Sequence, residues 1–468
     1  MTTSLRPSAA ALAAASALAG CMTLAPTYER PAAPVPSNWS AANVATAGRS
    51  ARDIPWEQFF ADDRLRSLIE LTLANNRDLR IAALNIERAR AQYQIQRSEL
   101  FPSVDASIVG TNQRVPGELS ATGEPVINRS VGAAVGIVSY ELDLFGRIRS
   151  LNDQAAYQYL ATEESRRAVQ IALVAEVAST WLTLAADLER LQIAEATYKS
   201  QRETFELVKR SNELGVQSGL DVRQAQVLLE VARRDRAIYT SLVAQDRNAL
   251  ALLAGAAVPP TMEPAAPLPP GVTSVAELPS GVPSEVLTRR PDVMASERRL
   301  QAANANIGAA RANFFPRITL TGSAGSASRE LDGLFAAGSR TWGFTPAVTL
   351  PIFTGGANIA TLQASETDRA IAVAAYERAI QSAFREVADA LAQRSTVDEQ
   401  YQAQKALVEA LEDTTQLSLA RFRNGVDSYF AVLDAQRQLF AAQQVLAGLR
   451  LARDANLVTL YKVLGGGA

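Results

Sequence analysis

Histidine is absent from this 468-residue chain, and cysteine occurs once, at Cys21. The first absence removes the commonest general base and the commonest metal ligand. The second excludes an internal disulfide and a thiolate cluster. Neither sign of charge dominates: 46 basic and 48 acidic residues leave a net charge of −2, so no basic field points to nucleic acid. After the first 25 residues, no run of about 18 apolar residues escapes interruption by charge, which argues against a spanning helix in the mature chain. A membrane crossing would then use β-strands, whose alternation is a weaker signal. No Walker-type phosphate loop occurs. With no catalytic constellation, metal set or cofactor set, the chain reads as a non-enzyme.

The N-terminus reads as a processing segment. Residues 1–20 carry one early positive charge, Arg6, followed by an apolar run from Ala9 to Gly20. The run is too short to span as a helix and fits a secretory signal. It ends in Leu18-Ala19-Gly20-Cys21, which resembles the bacterial lipobox. That resemblance implies a diacylglycerol on the Cys21 sulfur and an acyl chain on its new amino group, with no other cofactor. Several acyl chains hold firmly, because each buried CH₂ adds roughly 0.8 kcal/mol. Met22, rather than Asp, favours sorting to the outer membrane by analogy with other lipoproteins. Residues 21–60 read as a lipidated tether rich in Pro, Ala and Ser, with folded structure starting near Trp56–Phe60.

The remainder is a tandem repeat. Shifted by 214, the segment 73–104 lies on 287–318 without a gap: Leu73, Asp78, Arg97, Phe101 and Pro102 fall on Leu287, Asp292, Arg311, Phe315 and Pro316. Shifted by 210, the segment 207–255 lies on 417–465: Leu207, Gly215, Val216, Ser218, Gln226 and Gly255 fall on Leu417, Gly425, Val426, Ser428, Gln436 and Gly465. The repeats are placed at 61–258 and 284–468, joined by a proline-rich linker at 259–283 that forbids a continuous helix or central strand.

Helix signals dominate each repeat. Long helical stretches cover 64–99, 151–213 and 220–254 in the first, all free of proline and glycine, and about 284–314, 357–423 and 428–464 in the second. At 1.5 Å per residue the stretch 151–213 spans about 95 Å, close to the sum of its two shorter companions. Such matched lengths suit a wall two helices wide.

Between the first and second long helical stretches of each repeat lie segments of strand character, at about 103–114, 131–144, 317–328 and 341–353. Val104, Ala106 and Ile108 alternate in the first. Val131, Ala133, Val135 and Ile137 alternate in the second, with Ser139 and Glu141 following on that face. Trp342, Phe344, Pro346 and Val348 share a face in the fourth, opposite Thr341, Gly343, Thr345 and Ala347. This is the pattern of outer-membrane strands. Segments 115–130 and 329–340 read as hairpin loops. Four strands cannot close a barrel, and open edges are not tolerated in lipid. Three chains would supply twelve strands. The fold class is therefore mainly α with a small β part, assembled as a homotrimer.

At this point the chain resembles the outer-membrane efflux proteins, the TolC/OprM family, and within it the NodT-like lipoprotein branch serving resistance-nodulation-division pumps. The segments carrying the resemblance are Cys21–Pro31 (CMTLAPTYERP), Asn75–Leu79 (NNRDL), Tyr140–Arg147 (YELDLFGR), Leu278–Asp292 (LPSGVPSEVLTRRPD) and Ala309–Pro316 (AARANFFP). The resemblance implies a trimer with a twelve-stranded transmembrane barrel and a long periplasmic α-helical barrel. It implies a passive exit duct for small molecules such as drugs or toxic compounds. The partners it implies are a periplasmic membrane-fusion adaptor, an inner-membrane resistance-nodulation-division pump and outer-membrane lipids.

The family's tip motifs fall on two glycine-containing helix breaks: Leu214, Gly215, Val216 and Ser218, and Arg421, Phe422, Gly425, Val426 and Ser428. These positions are expected to meet the adaptor. Phe430 and Asp434, one helical turn apart, fall where related channels narrow the periplasmic mouth with an apolar ring and a carboxylate ring; Asp221 is a further candidate, in the first repeat. Other members carry an arginine near position 427, where this chain has Asp427. Asp143, Arg147 and Asp292 read as structural, at strand–helix junctions and helix starts. Two other functions stay open on residues alone: a duct for type I protein secretion, and a periplasmic scaffold lipoprotein without a pore.

Overall fold

A computed structural model describes residues 23–36, 39, 51–268, 271–274 and 284–467. The expected signal peptide, Cys21 and parts of the tether and linker lie outside the described residues. The chain order is α1 (Trp56–Phe59), α2 (Asp63–Asn75), α3 (Arg77–Ser98), β1 (Asp105–Val115), β2 (Val126–Leu142), α4 (Arg147–Glu213), α5 (Gly219–Ala254), α6 (Pro291–Ala312), β3 (Arg317–Ser328), β4 (Arg340–Thr349), α7 (Ala357–Arg423) and α8 (Tyr429–Val463). Among the described residues the protein is mainly helical with one small sheet, and α4 and α7 are each 67 residues long.

The expected helix over 64–99 is two helices. Asn76 breaks it in an extended conformation, and its side chain accepts from the Leu79 amide (2.8 Å) to cap α3. The same side chain donates to the Leu253 carbonyl at 2.8 Å. The helix expected from 284 begins instead with a 3₁₀ turn over Ser284–Arg289, and α6 starts at Pro291.

Two compact units are present. The first comprises residues 23–32, 85–163 and 295–376 and holds the sheet. Its strands pair antiparallel in the order β1-β2-β3-β4. Apolar alternation located all four strands, but β2 begins at Val126 rather than 131. Asn128, Arg129 and Ser130 look like loop residues, yet they pair by backbone with Gln113, Asn112 and Thr111. β4 ends at Thr349, short of Pro351, which supplies no ladder donor.

A bulge in β2 corrects the expected faces. Ile137 opposes Gly322, but Leu320 is opposed by Tyr140, so two residues, Val138 and Ser139, fill the space of one. An inserted residue flips every later side chain to the other face. Tyr140 and Leu142 therefore join the apolar face, opposite Leu320 and Ile318, while Ser139 and Glu141 do not. The Thr321 hydroxyl donates to the Val138 carbonyl at 2.9 Å and holds the bulge. Glu141 is paired by Arg147 at 2.7 Å. Asp143 caps α4 by accepting from the amides of Ile148 (3.1 Å) and Arg149 (2.9 Å).

In the same unit the described tether lies against helices α4 and α6. Asn304 donates to the Pro26 carbonyl at 2.7 Å, and Tyr28 and Arg30 both reach the buried Glu297.

The second unit comprises the described residues within 33–84, 164–294 and 377–467. Its core stacks Phe59 on Tyr461 with ring centroids 4.0 Å apart, and the Tyr461 hydroxyl donates to the Ile54 carbonyl. Trp181 is fully buried and donates its indole N–H to the Met262 carbonyl at 2.9 Å. One stretch of α4 is apolar enough by length and composition to span a membrane, but 56% of it is buried inside the protein, as for a core helix. Asp292 pairs with Arg290, which also binds Glu386 (2.8 Å) and the Val463 carbonyl (2.9 Å), anchoring the start of α6.

Helices α4 and α5 hold an acid pair with a pH consequence. Buried Asp187 accepts from Arg190 at 2.8 Å. Burial, followed by the charge of Asp187, pushes the Asp246 carboxyl up to about 6. The buried Asp246 Oδ2 has no donor partner, so the two acids hydrogen-bond only when Asp246 holds the proton. A pKa raised in the folded state gives stability that is complete below about pH 4 and is lost as pH rises through about 6. Asp246→Asn should keep the hydrogen bond without the charge. It should stabilise the protein by about 1–2 kcal/mol at pH 7.5, after discounting for partial exposure, and by nothing at pH 4. Melting midpoints measured across that range check this; an equal shift at both pH values would refute it.

Candidate functional site

Both glycine-containing breaks are tight helix reversals, and they share one geometry. In the first, the Val216 amide donates to the Ser211 carbonyl and the Gly215 amide to the Asn212 carbonyl, each at 2.9 Å. In the second, Val426 donates to Arg421 at 3.0 Å and Gly425 to Phe422 at 2.9 Å. These are paired Schellman bonds, and they need a left-handed residue at the turn. Gly215 and Gly425 supply it with φ of 75° and 73°.

The side chains bracing the two turns differ. At the first, the Asn212 side chain donates to the Gln217 carbonyl at 2.7 Å, and Ser218 and Asp221 form a reciprocal capping box. Asp221 accepts from the Ser218 amide (3.0 Å) and hydroxyl (2.7 Å), so its carboxylate is engaged at the helix start. At the second, Ala431 occupies the position corresponding to Asp221, and Ser428 makes no side-chain cap. Arg421 closes this turn by donating to both oxygens of Asp427, one at 3.1 Å. That contact holds the Asp427 carboxyl below its usual range. Position 427 thus has a basic partner, supplied six residues earlier in the same turn.

Beneath the turns, Val208, Ala225, Tyr429, Val432 and Leu433 form one buried cluster, with Phe422 packed against it. Phe422 and Tyr429 rings lie 5.0 Å apart. Phe422 is therefore turned partly inward, unlike the other apolar tip residues. Leu214 and Val216 are 80% and 76% exposed, and Val426 is also exposed. Val216 and Val426 occupy equivalent places on the two turns, and Leu214 adds a third apolar side chain held out in the open.

Phe430 and Asp434 share one outward face of α8, with Phe430 63% exposed, while Tyr429, Val432 and Leu433 point into the cluster. Asp434 is not bare. It pairs with Arg437 one turn on and accepts from Gln438 at 2.6 Å. Arg437 was not among the residues singled out from sequence, although a basic residue three positions on was a signal for it.

The sheet supplies the remaining geometry. β1 and β4 are unpaired along their outer edges among the described residues. One face is apolar and exposed, with Ile108, Trp342, Phe344 and Val348 on it. The other face is small and polar, and it is crowded: a Cβ on Gly136 would sit 2.3 Å from the Gly322 carbonyl oxygen, and one on Gly325 would sit 2.1 Å from that of Ala133.

The sequence profile of the family described as outer membrane efflux protein matches residues 68–256 and 282–466. The toluene efflux pump outer membrane protein TtgC of Pseudomonas putida is 48% identical over 454 residues, covering 96% of this chain and 93% of that protein. The outer membrane protein OprJ of Pseudomonas aeruginosa is 44% identical over 448 residues, with 96% and 93% covered. Among solved structures, the open state of the MtrE outer membrane channel of Neisseria gonorrhoeae superposes with a TM-score of 0.84 at 39% identity, covering 95% of this chain and 98% of that one.

Proposed function

This chain belongs to the outer membrane efflux protein family, and from that premise we propose how its geometry works. It is the outer-membrane channel of an efflux pump, a passive exit for small molecules. The observation that carries the assembly is the sheet: four strands, one lipid-compatible face, one small polar face and two open edges. Each edge would cost several unpaired backbone groups in lipid. Pairing β1 of one copy with β4 of the next closes twelve strands in a trimer and removes every edge. The polar, crowded face then lines the lumen.

Cys21, acylated, anchors each copy to the outer membrane. The exposed tips around Leu214, Val216 and Val426 take the helical hairpins of a periplasmic adaptor, which connects the duct to an inner-membrane resistance-nodulation-division pump. Arg421 and Asp427 stiffen the second tip rather than latch it to a neighbour. Phe430 narrows the periplasmic mouth, and Asp434 lends it negative charge, softened by Arg437. Asp221 serves the turn rather than the gate.

Conductance tests this reading. The purified chain should run as heat-sensitive trimers in detergent, carry a mass increment for acyl chains on Cys21, and open cation-preferring channels in planar bilayers. Phe430→Ala combined with Asp434→Asn should raise single-channel conductance severalfold and weaken cation preference. Extraction into detergent-free buffer, or no conductance, would sink the channel; a double variant with unchanged current would sink the gate.

A further inference from the structure

We propose that the outward face of the sheet binds phosphorylated lipids of the outer leaflet through Arg114, Arg129 and Arg340, beside an apolar hollow. This rests on the reading that the sheet spans the membrane. Cross-strand register sorts every paired strand residue onto a face. The apolar face carries three charges only, these arginines, and no acid. All three sit toward the hairpin ends of the strands, away from the helices: Arg114 opposes Ile127, Arg129 opposes Asn112, and Arg340 opposes Ser326. The polar face keeps its charges, Asp105, Glu141 and Arg317, at the helix-joined ends. Charge is thus segregated by face and by end.

The arginines are exposed, and among the described residues none has an ion-pair or side-chain hydrogen-bond partner. By contrast, Arg147 and Arg149 at the helix-joined end are paired with Glu141 and Asp143. Glu118, Glu124, Glu330 and Asp332 lie beyond the strands in the hairpin loops and pair with none of the three. Next to Arg340, Phe335 from the β3–β4 loop and Trp342 flank a hollow of about 820 Å³ floored by Ala133, Val135 and Ala324. Phe335 and Trp342 are 81% and 83% exposed.

Guanidinium groups bind phosphate through two parallel hydrogen bonds. Arginine long enough to reach the headgroup level, with an aromatic-walled apolar hollow beside it, suits an amphiphile with a phosphate head and acyl chains. The hairpin ends of the strands face outward in the channel reading, so the matching lipids are the phosphorylated glycolipids of the outer leaflet. The arginines are staggered along the strands, so the surface takes several headgroups rather than one.

The test titrates the purified trimer in nonionic detergent with diphosphorylated lipid A and measures bound lipid by native mass spectrometry. Arg114→Gln, Arg129→Gln and Arg340→Gln together should weaken binding by roughly tenfold or more. The corresponding triple lysine variant should retain most of it, and dephosphorylated lipid A should bind both forms equally weakly. Equal binding by the glutamine variant, or displacement of the lipid by millimolar inorganic phosphate, would overturn the proposal, the latter indicating a simple anion site. Conductance of the glutamine variant should match the parent. A parent without conductance would instead remove the channel reading beneath the proposal.

Discussion

Replacing Gly325 with valine is expected to abolish trimer assembly and, with it, all channel current. The ideal Cβ lies 2.1 Å from the Ala133 carbonyl oxygen and 2.7 Å from the Ala134 Cα, both backbone atoms that no rotamer change can move. Strands β2 and β3 would have to part by about 1 Å, which breaks ladder hydrogen bonds worth roughly 1 kcal/mol each in the centre of the sheet. Gly136→Val meets the Gly322 carbonyl oxygen at 2.3 Å and should fail in the same way. Overpacking in cores typically costs about 1–3 kcal/mol even where side chains can yield; here backbone must yield, between the two central strands of the sheet. Two nearby glycines serve as controls. A Cβ on Gly110 meets nothing within 4 Å, and one on Gly132 meets only the Ser326 carbonyl oxygen, at 3.8 Å. Gly110→Ala and Gly132→Ala should leave heat-sensitive trimers intact on gels. Trimers and normal conductance from Gly325→Val would show that the sheet does not need this close approach.

Sequence reasoning located these strands by alternation but misread them where backbone, not side chain, sets the structure. The bulge after Ile137 leaves no mark of proline or glycine at the inserted residues, so Ser139 and Glu141 continued the alternation on paper while Tyr140 and Leu142 took the apolar face. The polar run Asn128–Ser130 pairs through its main chain and so has no apolar signature. Asn76 ends α2 without a proline, through a side-chain cap and a contact with Leu253, 177 positions away, that no local pattern encodes. The long helices were legible to within a few residues, because each is bounded by glycine or proline. At the tips the glycines were readable, and so was the Ser218-x-x-Asp221 box, whose signature points to capping rather than to a gate. The Arg421–Asp427 pair was not readable, since it depends on the turn bringing residues six apart face to face. The three arginines of the outward face became a group only once register assigned each strand residue a side.

Gly215→Val combined with Gly425→Val should separate the duct from its pump. Each glycine sits at a φ that costs a β-branched residue about 1–2 kcal/mol or more. That is too little to melt hairpins whose long helices are each 67 residues, with Val432 and Ala225 fully buried beneath the turns. It is enough to dissolve the paired Schellman bonds and let the turn relax into another shape. Leu214, Val216 and Val426 would then no longer project as they do, and an adaptor that docks on them would lose its surface. In a strain lacking its own channel, the double variant should restore at least tenfold less resistance to an exported compound than the parent chain, while trimers and planar-bilayer conductance persist. Gly215→Asn with Gly425→Asn should retain most of the function, because asparagine tolerates the left-handed region. The contrast matters more than either result alone. If valine and asparagine variants behave alike, the turn's handedness is irrelevant to coupling. If conductance falls with efflux, the tips hold the channel together rather than the partner. Only loss of efflux with conductance intact, rescued by asparagine, assigns the exposed apolar tips to the adaptor.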